Sequence, residues 1–259
     1  MKTVILCGGQ GTRIRDVSSD VPKPMLPIGG RPILWHIMKS YAAAGHADFV
    51  LCLGYKANAI KEFFLNYEAF TNDVTITLGA KNGIECHADH DETGWRITLA
   101  DTGLDTMTGG RVARVRRYVG NERFLLTYGD GVSDIDMNAL IAFHKSHGKL
   151  MTVTGVRPPG RFGEIDTDHN GKVTEFNEKP QATGGRISGG FFVCEPGVFE
   201  YLSEGESLML EQEPMRRLAA NGQMMLYEHN GFWQCMDTYR DYKLLNGLWD
   251  AGKAPWRTW

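Results

Sequence analysis

The chain opens with an unbroken apolar run, Thr3-Val4-Ile5-Leu6-Cys7, that stops abruptly at Gly8-Gly9. Short β-rich runs recur at 48–54, 74–78, 95–100, 123–128 and 150–156, then near 162–168, 172–177, 190–194, 224–228 and 232–236. Bounded by turn residues, such runs read as strands. Between the early ones the apolar spacing becomes helical. Residues 32–44 begin with Pro32 in a first-turn position and put Ile33, Leu34, Ile37, Met38 and Tyr41 on one face. Gly45 predicts the stop. The segments 57–67, 109–119, 136–147, 211–221 and 238–251 carry similar patterns.

Alternating strands and helices predict an α/β fold: three layers, α/β/α and Rossmann-like, around a mixed, mostly parallel central sheet. Beyond about residue 150 the helices thin out, which predicts added β-rich C-terminal elements, antiparallel and wrapped along one side of the core. No Pro/Ser-rich linker, charge run or internal repeat interrupts the chain, so 1–259 reads as a single domain.

Composition narrows the function classes. Hydrophobic residues make up 42% and charged residues 23%, values of an ordinary folded soluble domain. With 28 Lys+Arg against 31 Asp+Glu the net charge is −3, so nothing draws the protein to nucleic acid or an anionic membrane. The first apolar run is too short for a signal-peptide core and no 18-residue apolar stretch follows, which predicts a cytoplasmic protein. The five cysteines form no C-x-x-C pair, and Cys7, Cys52 and Cys194 read as small buried thiols.

The candidate chemistry starts at the first strand's end. Gly8, Gly9 and Gly11 let backbone N–H groups approach an anion, and Arg13 and Lys23 add two cations. Lys23 stands in Pro22-Lys23-Pro24, a stiff segment. There is no Walker loop and no G-x-G-x-x-G, since Ile14 occupies its last glycine position. A tight turn with an exposed Arg is the plainer alternative. Asp130, between Gly129 and Gly131, and Asp237, just before the last helix, stand at strand ends, where two carboxylates suffice for Mg²⁺ bound with phosphate and water. A turn residue and a helix N-cap are their alternatives. Lys179, in Glu178-Lys179-Pro180, is either a second phosphate contact or half of a surface ion pair. His144 and His147, like His87 and His90, read as structural or surface residues, and Trp249, Trp256 and Trp259 as a packing or subunit contact.

Gly8-Gly9-x-Gly11-Thr12-Arg13, Pro22-Lys23-Pro24-Met25, Gly30-x-Pro32-Ile33, Asp130 and Glu178-Lys179-Pro180 together resemble the sugar-1-phosphate nucleotidyltransferases over essentially the whole chain. Four further segments resemble the members that use CTP and glucose 1-phosphate: 34–39, 107–111, 158–163 and 253–256. The resemblance implies transfer of a cytidylyl group from CTP to α-D-glucose 1-phosphate, giving CDP-glucose and pyrophosphate. It implies Mg²⁺ on Asp130 and Asp237, with Arg13, Lys23 and Lys179 completing the catalytic set. Leu6, Gly8, Gly9, Gly11, Thr12, Arg13 and Lys23 fall to the nucleotide, and Gly163, Glu178, Lys179 and a Gly189-Gly190 turn to the sugar. Residues 1–150 are then mainly the nucleotide-binding core, and 151–259 mainly the sugar-phosphate side and C-terminal helices. Where uridylyl and thymidylyl relatives carry a Gln-containing loop, this chain has Asp105 to Arg111. The hydroxyls of Thr106 and Thr108, the amides of Gly109 and Gly110, and the Arg111 cation suit a cytosine edge or nucleotide phosphates, while Arg114, Arg116 and Arg117 read as a solvated face. The resemblance also implies a homo-oligomer. A different phosphorylated acceptor, UTP as donor, or an inactive nucleotide-sugar-binding regulator are the competing readings.

Overall fold

The structure is a computed structural model that describes residues 1–11, 21–79, 83–87, 90–158, 164–167, 172–177 and 185–259, with backbone alone at 164–167 and 174–177. A seven-stranded sheet forms its centre. From one edge to the other the strands are Met224–Glu228, Met151–Val156, Ile187–Cys194, Phe124–Tyr128, Lys2–Leu6, Asp48–Leu53 and Arg96–Asp101. Only Ile187–Cys194 is antiparallel to its neighbours; the other six strands point one way. Of the later strands, Met151–Val156, Ile187–Cys194 and Met224–Glu228 extend this sheet past Phe124–Tyr128 rather than wrap it, whereas Glu164–Thr167 with Val173–Asn177, and Trp233–Cys235 with Gly131–Ser133, are added antiparallel pairs outside it.

The three-layer arrangement follows from alternation within each strand. Ile5, Phe49, Leu51, Leu125 and Val193 face one layer, against Ile33, Leu34 and Met38 of the helix Ile33–Ala43, Leu140 of Met137–His147 and Leu245 of Tyr239–Asp250. Val4, Val50, Leu126 and Phe192 face the other, against Val112, Val115 and Val119 and, further on, Leu210 and Leu218. Because both faces of the inner strands are covered, those strands are largely apolar, and this is why they read so clearly.

Departures from the predicted elements are local. The helix expected over 57–67 is followed by a separate turn of helix, Tyr67–Thr71, and that over 109–119 divides into Thr108–Arg114 and Arg116–Val119. The strands Pro27–Ile28, Arg31–Pro32 and Gly131–Ser133 are too short to show a period. Ile84–His87, in a segment that reads as polar surface, pairs with Asp73–Ile76 in an exposed hairpin. His144 is buried and bonds Thr152 and Glu195 through its two ring nitrogens, so its role is structural. Trp249, Trp256 and Trp259 close around the buried His36. No described helix is long and apolar enough to cross a membrane.

Candidate active site

The chain leaves Lys2–Leu6 toward Asp48–Leu53 on one side and reaches Phe124–Tyr128 on the other, so the direction of strand addition reverses at the central strand. In open α/β sheets ligands bind at such a reversal, beyond the carboxyl ends of the strands. Here Gly8-Gly9 and Gly129-Asp130 emerge side by side, held by the Gly129 N–H donating to Leu6 O at 3.0 Å. A side chain on Gly129 would meet the Leu6 carbonyl at 3.0 Å, the Cys7 thiol at 3.1 Å and the Pro24 ring at 3.2 Å. Gly11 has φ +57°, and a Cβ there would lie 3.1 Å from Cβ of Lys23, so the glycine loop and the Pro22-Lys23-Pro24 segment close on each other. By contrast, a Cβ on Gly9 would meet nothing within 4 Å, which leaves that backbone open.

Two carboxylates from distant parts of the chain converge below the loop. Asp130 immediately precedes the short strand Gly131–Ser133, which pairs antiparallel with Trp233–Cys235 so that Gly131 lies opposite Cys235. The pairing continues with Met236 N–H donating to Asp130 O at 2.8 Å, which sets Asp237 beside Asp130. Asp237 is not the cap of the last helix. Thr238 is, in a reciprocal capping box with Asp241, whose carboxylate also accepts from the Asp237 N–H at 3.1 Å. Asp237 can therefore aim its own carboxylate elsewhere.

Lys23 Nζ donates to Asp130 Oδ2 at 2.5 Å and also to Asp237 Oδ1. Burial by itself would lower the Lys23 ammonium, but the two carboxylates outweigh it and hold the pKa above the ordinary lysine value. Both acids thus share one cation. The same pair of donors fits one divalent ion that completes its shell with phosphate oxygens and water. Among the described residues no group of three or more His, Cys, Asp or Glu that could hold a metal gathers, so among these residues the two acids are the candidate ligands. The Cys235 thiol donates to Asp237 Oδ2 at 3.5 Å and is pushed up to about 12, by burial first and then by Asp237.

These groups border a cavity of about 380 Å³ that also brings in Leu6, Gly8, Gly9, Thr106, Thr108 and Arg111. Several sequence expectations change within it. Arg111 is not a free cation. Its guanidinium is buried and donates to the carbonyls of Leu53, Gly103, Gly8 and Leu104 and to the Thr102 hydroxyl. It fills the space beside Gly8, where a Cβ would come within 2.2 Å of it. Arg111 is a strut under the glycine loop. The Gly109 and Gly110 amides are likewise spent on Leu208 O, at 2.9 and 3.2 Å, and a Cβ on Gly110 would strike the Gly205 carbonyl at 2.5 Å. Arg114, expected in solvent with Arg116 and Arg117, instead donates to Thr102 O and Thr106 Oγ1. Gly189 and Gly190 form no turn; they lie inside the strand Ile187–Cys194. Gly190 has φ +78°, and its missing side chain makes room for the Tyr128 ring, while Gly189 O accepts from Trp233 Nε1 at 2.8 Å. Thr12, Arg13, Gly163, Glu178 and Lys179 lie outside the described residues.

Sequence reasoning did not single out Tyr128 and Glu211. Tyr128 borders the cavity and donates to Glu211 Oε1, and burial followed by the Glu211 charge holds its phenol well above the usual range. An aromatic residue directly before Gly129-Asp130 was a readable signal. Glu211 carried none, because it reaches Tyr128 and Thr108 from 83 and 103 positions away in sequence.

The model of the nucleotidyl transferase family matches residues 2–246. The chain belongs to that family. Among its relatives, glucose-1-phosphate cytidylyltransferase of Salmonella typhimurium is 52% identical, with both chains fully covered. The probable glucose-1-phosphate cytidylyltransferase of Bacillus subtilis is 45% identical, again over both full lengths. A probable mannose-1-phosphate guanylyltransferase of Oryza sativa is 30% identical over 93% of this chain and 63% of its own. Of solved structures, HddC from Yersinia pseudotuberculosis superposes with a TM-score of 0.68 at 22% identity, covering 96% of this chain and 99% of that one. That likeness concerns the fold, and the family's fold is the three-layer architecture described above.

Proposed function

We propose that this nucleotidyl transferase moves the cytidylyl group of CTP to α-D-glucose 1-phosphate, releasing pyrophosphate and CDP-glucose. The observation that carries the reading is the meeting of Asp130, Asp237 and Lys23 under an open glycine loop at the sheet's reversal point. It is the equipment for a triphosphate and a divalent ion. The choice of CTP and glucose 1-phosphate is supported by the two full-length relatives bearing that name.

A sugar 1-phosphate is largely dianionic at neutral pH, so its oxygen attacks the α-phosphorus without a general base. The O–P bond to pyrophosphate breaks as the new one forms in line. What the protein must supply is position and positive charge. The glycine-loop backbone receives the phosphates, and Lys23 holds a full cation beside them. Asp130 and Asp237 would hold Mg²⁺, whose Lewis acidity offsets charge on the reacting phosphates. Arg13 adds charge for the leaving pyrophosphate, Lys179 takes the phosphate of the sugar, Glu178 takes its hydroxyls, and Gly163 and the Gly189-Gly190 backbone allow the sugar's close approach. Residues 1–150 thereby serve mainly the nucleotide and 151–259 mainly the sugar.

Steady-state kinetics test this division. Asp130→Asn should lower kcat roughly 100-fold or more with the fold intact, and wild-type turnover would remove the metal role. Lys179→Ala should raise KM for glucose 1-phosphate far more than for CTP; the reverse moves Lys179 to the nucleotide. A homo-oligomer in the cytoplasm completes the proposal. Leu65, Phe70, Ile76, Leu78 and Ile84 stand exposed on adjacent elements, a surface that a second copy would cover. A monomer by sedimentation would refute that part.

A further inference from the structure

We propose that Glu211 sets the base preference of the cleft by committing the protons of Thr108 and Tyr128, so that this wall accepts hydrogen bonds and selects a base with an exocyclic amino group at C4. The inference rests on the CTP reading and deepens it.

Thr108 Oγ1 donates to Glu211 Oε2 at 2.6 Å and accepts from the Leu210 N–H at 2.9 Å. The Tyr128 hydroxyl donates to the other oxygen, Glu211 Oε1. A hydroxyl has one proton to give. With both protons directed at the carboxylate, what Thr108 and Tyr128 still offer is lone pairs, and both residues border the cavity. Of the other groups expected on this wall, the Gly109 and Gly110 amides are spent on Leu208 O and the terminal nitrogens of Arg111 on four carbonyls and the Thr102 hydroxyl, while Thr106 Oγ1 accepts from Arg114. At Thr108 and Tyr128 the wall is therefore matched to a ligand donor.

Cytosine presents an amino group at C4 where uracil and thymine present a carbonyl oxygen. Against acceptors, the amino group gains hydrogen bonds, and the carbonyl is left unpaired and repelled. A site built to pair a group strongly rejects the analogue that lacks it. Glu211 is fixed for this task because Leu210, its neighbour, is fully buried and its amide is tied to Thr108. Glu211 is a positioning residue: it acts through the two hydroxyls. Replacing it by glutamine puts an N–H donor where an acceptor was, which lets either hydroxyl turn its proton toward the base.

The test compares kcat/KM for CTP, UTP and the triphosphate of pyrimidin-2-one riboside, which lacks any C4 substituent, at saturating glucose 1-phosphate. Wild type should use CTP at least about tenfold better than the pyrimidin-2-one nucleotide. Glu211→Gln should lower the CTP/UTP ratio by roughly 10–100-fold, through KM for the nucleotide, and leave KM for glucose 1-phosphate unchanged. Equal use of CTP and the pyrimidin-2-one nucleotide by wild type overturns the proposal without any variant. An unchanged CTP/UTP ratio in a folded Glu211→Gln protein overturns it while the CTP reading stands. A wild type that prefers UTP removes both.

Discussion

Lys23 joins two carboxylates that lie 107 and 214 residues further along the chain. Without a cation between them, Asp130 and Asp237 would repel each other, and this gives Lys23 a structural task besides its task toward phosphate. Lys23→Met should lower turnover roughly 100-fold. It should also enlarge the rise in Tm that Mg²⁺ produces, because the variant lacks the ammonium that shares the acids' charge; scanning fluorimetry with and without Mg²⁺ checks this. Arg111 is a different case. Its burial among five acceptors means that Arg111→Ala should cost about 3 kcal/mol of stability, the penalty of orphaned buried carbonyls. Urea denaturation measures it, and an unchanged midpoint with weaker CTP binding would return Arg111 to the ligand. The sequence disclosed which residue types surround the cleft because Gly, Lys and Asp at strand ends carry local signals. It could not disclose which donors were already spent, since the partners of Arg111 come from three separate segments of the chain.

The short pairing of Gly131–Ser133 with Trp233–Cys235, backed by the capping box of the last helix, sets the second carboxylate in place. Asp241 belongs to both arrangements, accepting from the N–H groups of Asp237 and Thr238. Asp241→Ala should therefore cost about 1 kcal/mol of stability and raise the Mg²⁺ concentration needed for half-maximal activity. A loss of stability with unchanged Mg²⁺ dependence would show that Asp237 is held without it. The inner strands are plain in the sequence as continuous apolar runs because both their faces are buried, and the helix Ile33–Ala43 is plain because its apolar positions recur at helical spacing. The three-residue pairing has no period to show, yet it brings the candidate acids together.

Across the whole molecule, the C-terminal tryptophans enclose a neutral histidine. His36 accepts from Trp256 Nε1 at 3.4 Å and pairs through Nε2 with Ile28 O at 2.9 Å. Burial lowers its pKa to about 4, despite the opposing pull of backbone carbonyls. An unfolded histidine titrates near 6.5, so the unfolded state gains a proton first as pH falls. The resulting stability is complete above about pH 6.5 and is lost progressively down to about pH 4, roughly 3 kcal/mol in all. His144, lowered to about 4 by burial, adds in the same direction. Chemical denaturation at pH 7 and 4.5 should show this slope, and His36→Asn should reduce it. A net charge of −3 suits such a molecule, whose anionic ligands are small and met by a few local cations. The central claim concerns which small anions these are. Pyrophosphate release, measured over a grid of nucleoside triphosphates and sugar 1-phosphates with Mg²⁺, tests it most directly. The account predicts the highest kcat/KM for CTP with α-D-glucose 1-phosphate and CDP-glucose as the product; preference for another pair, or no release with any, would contradict it.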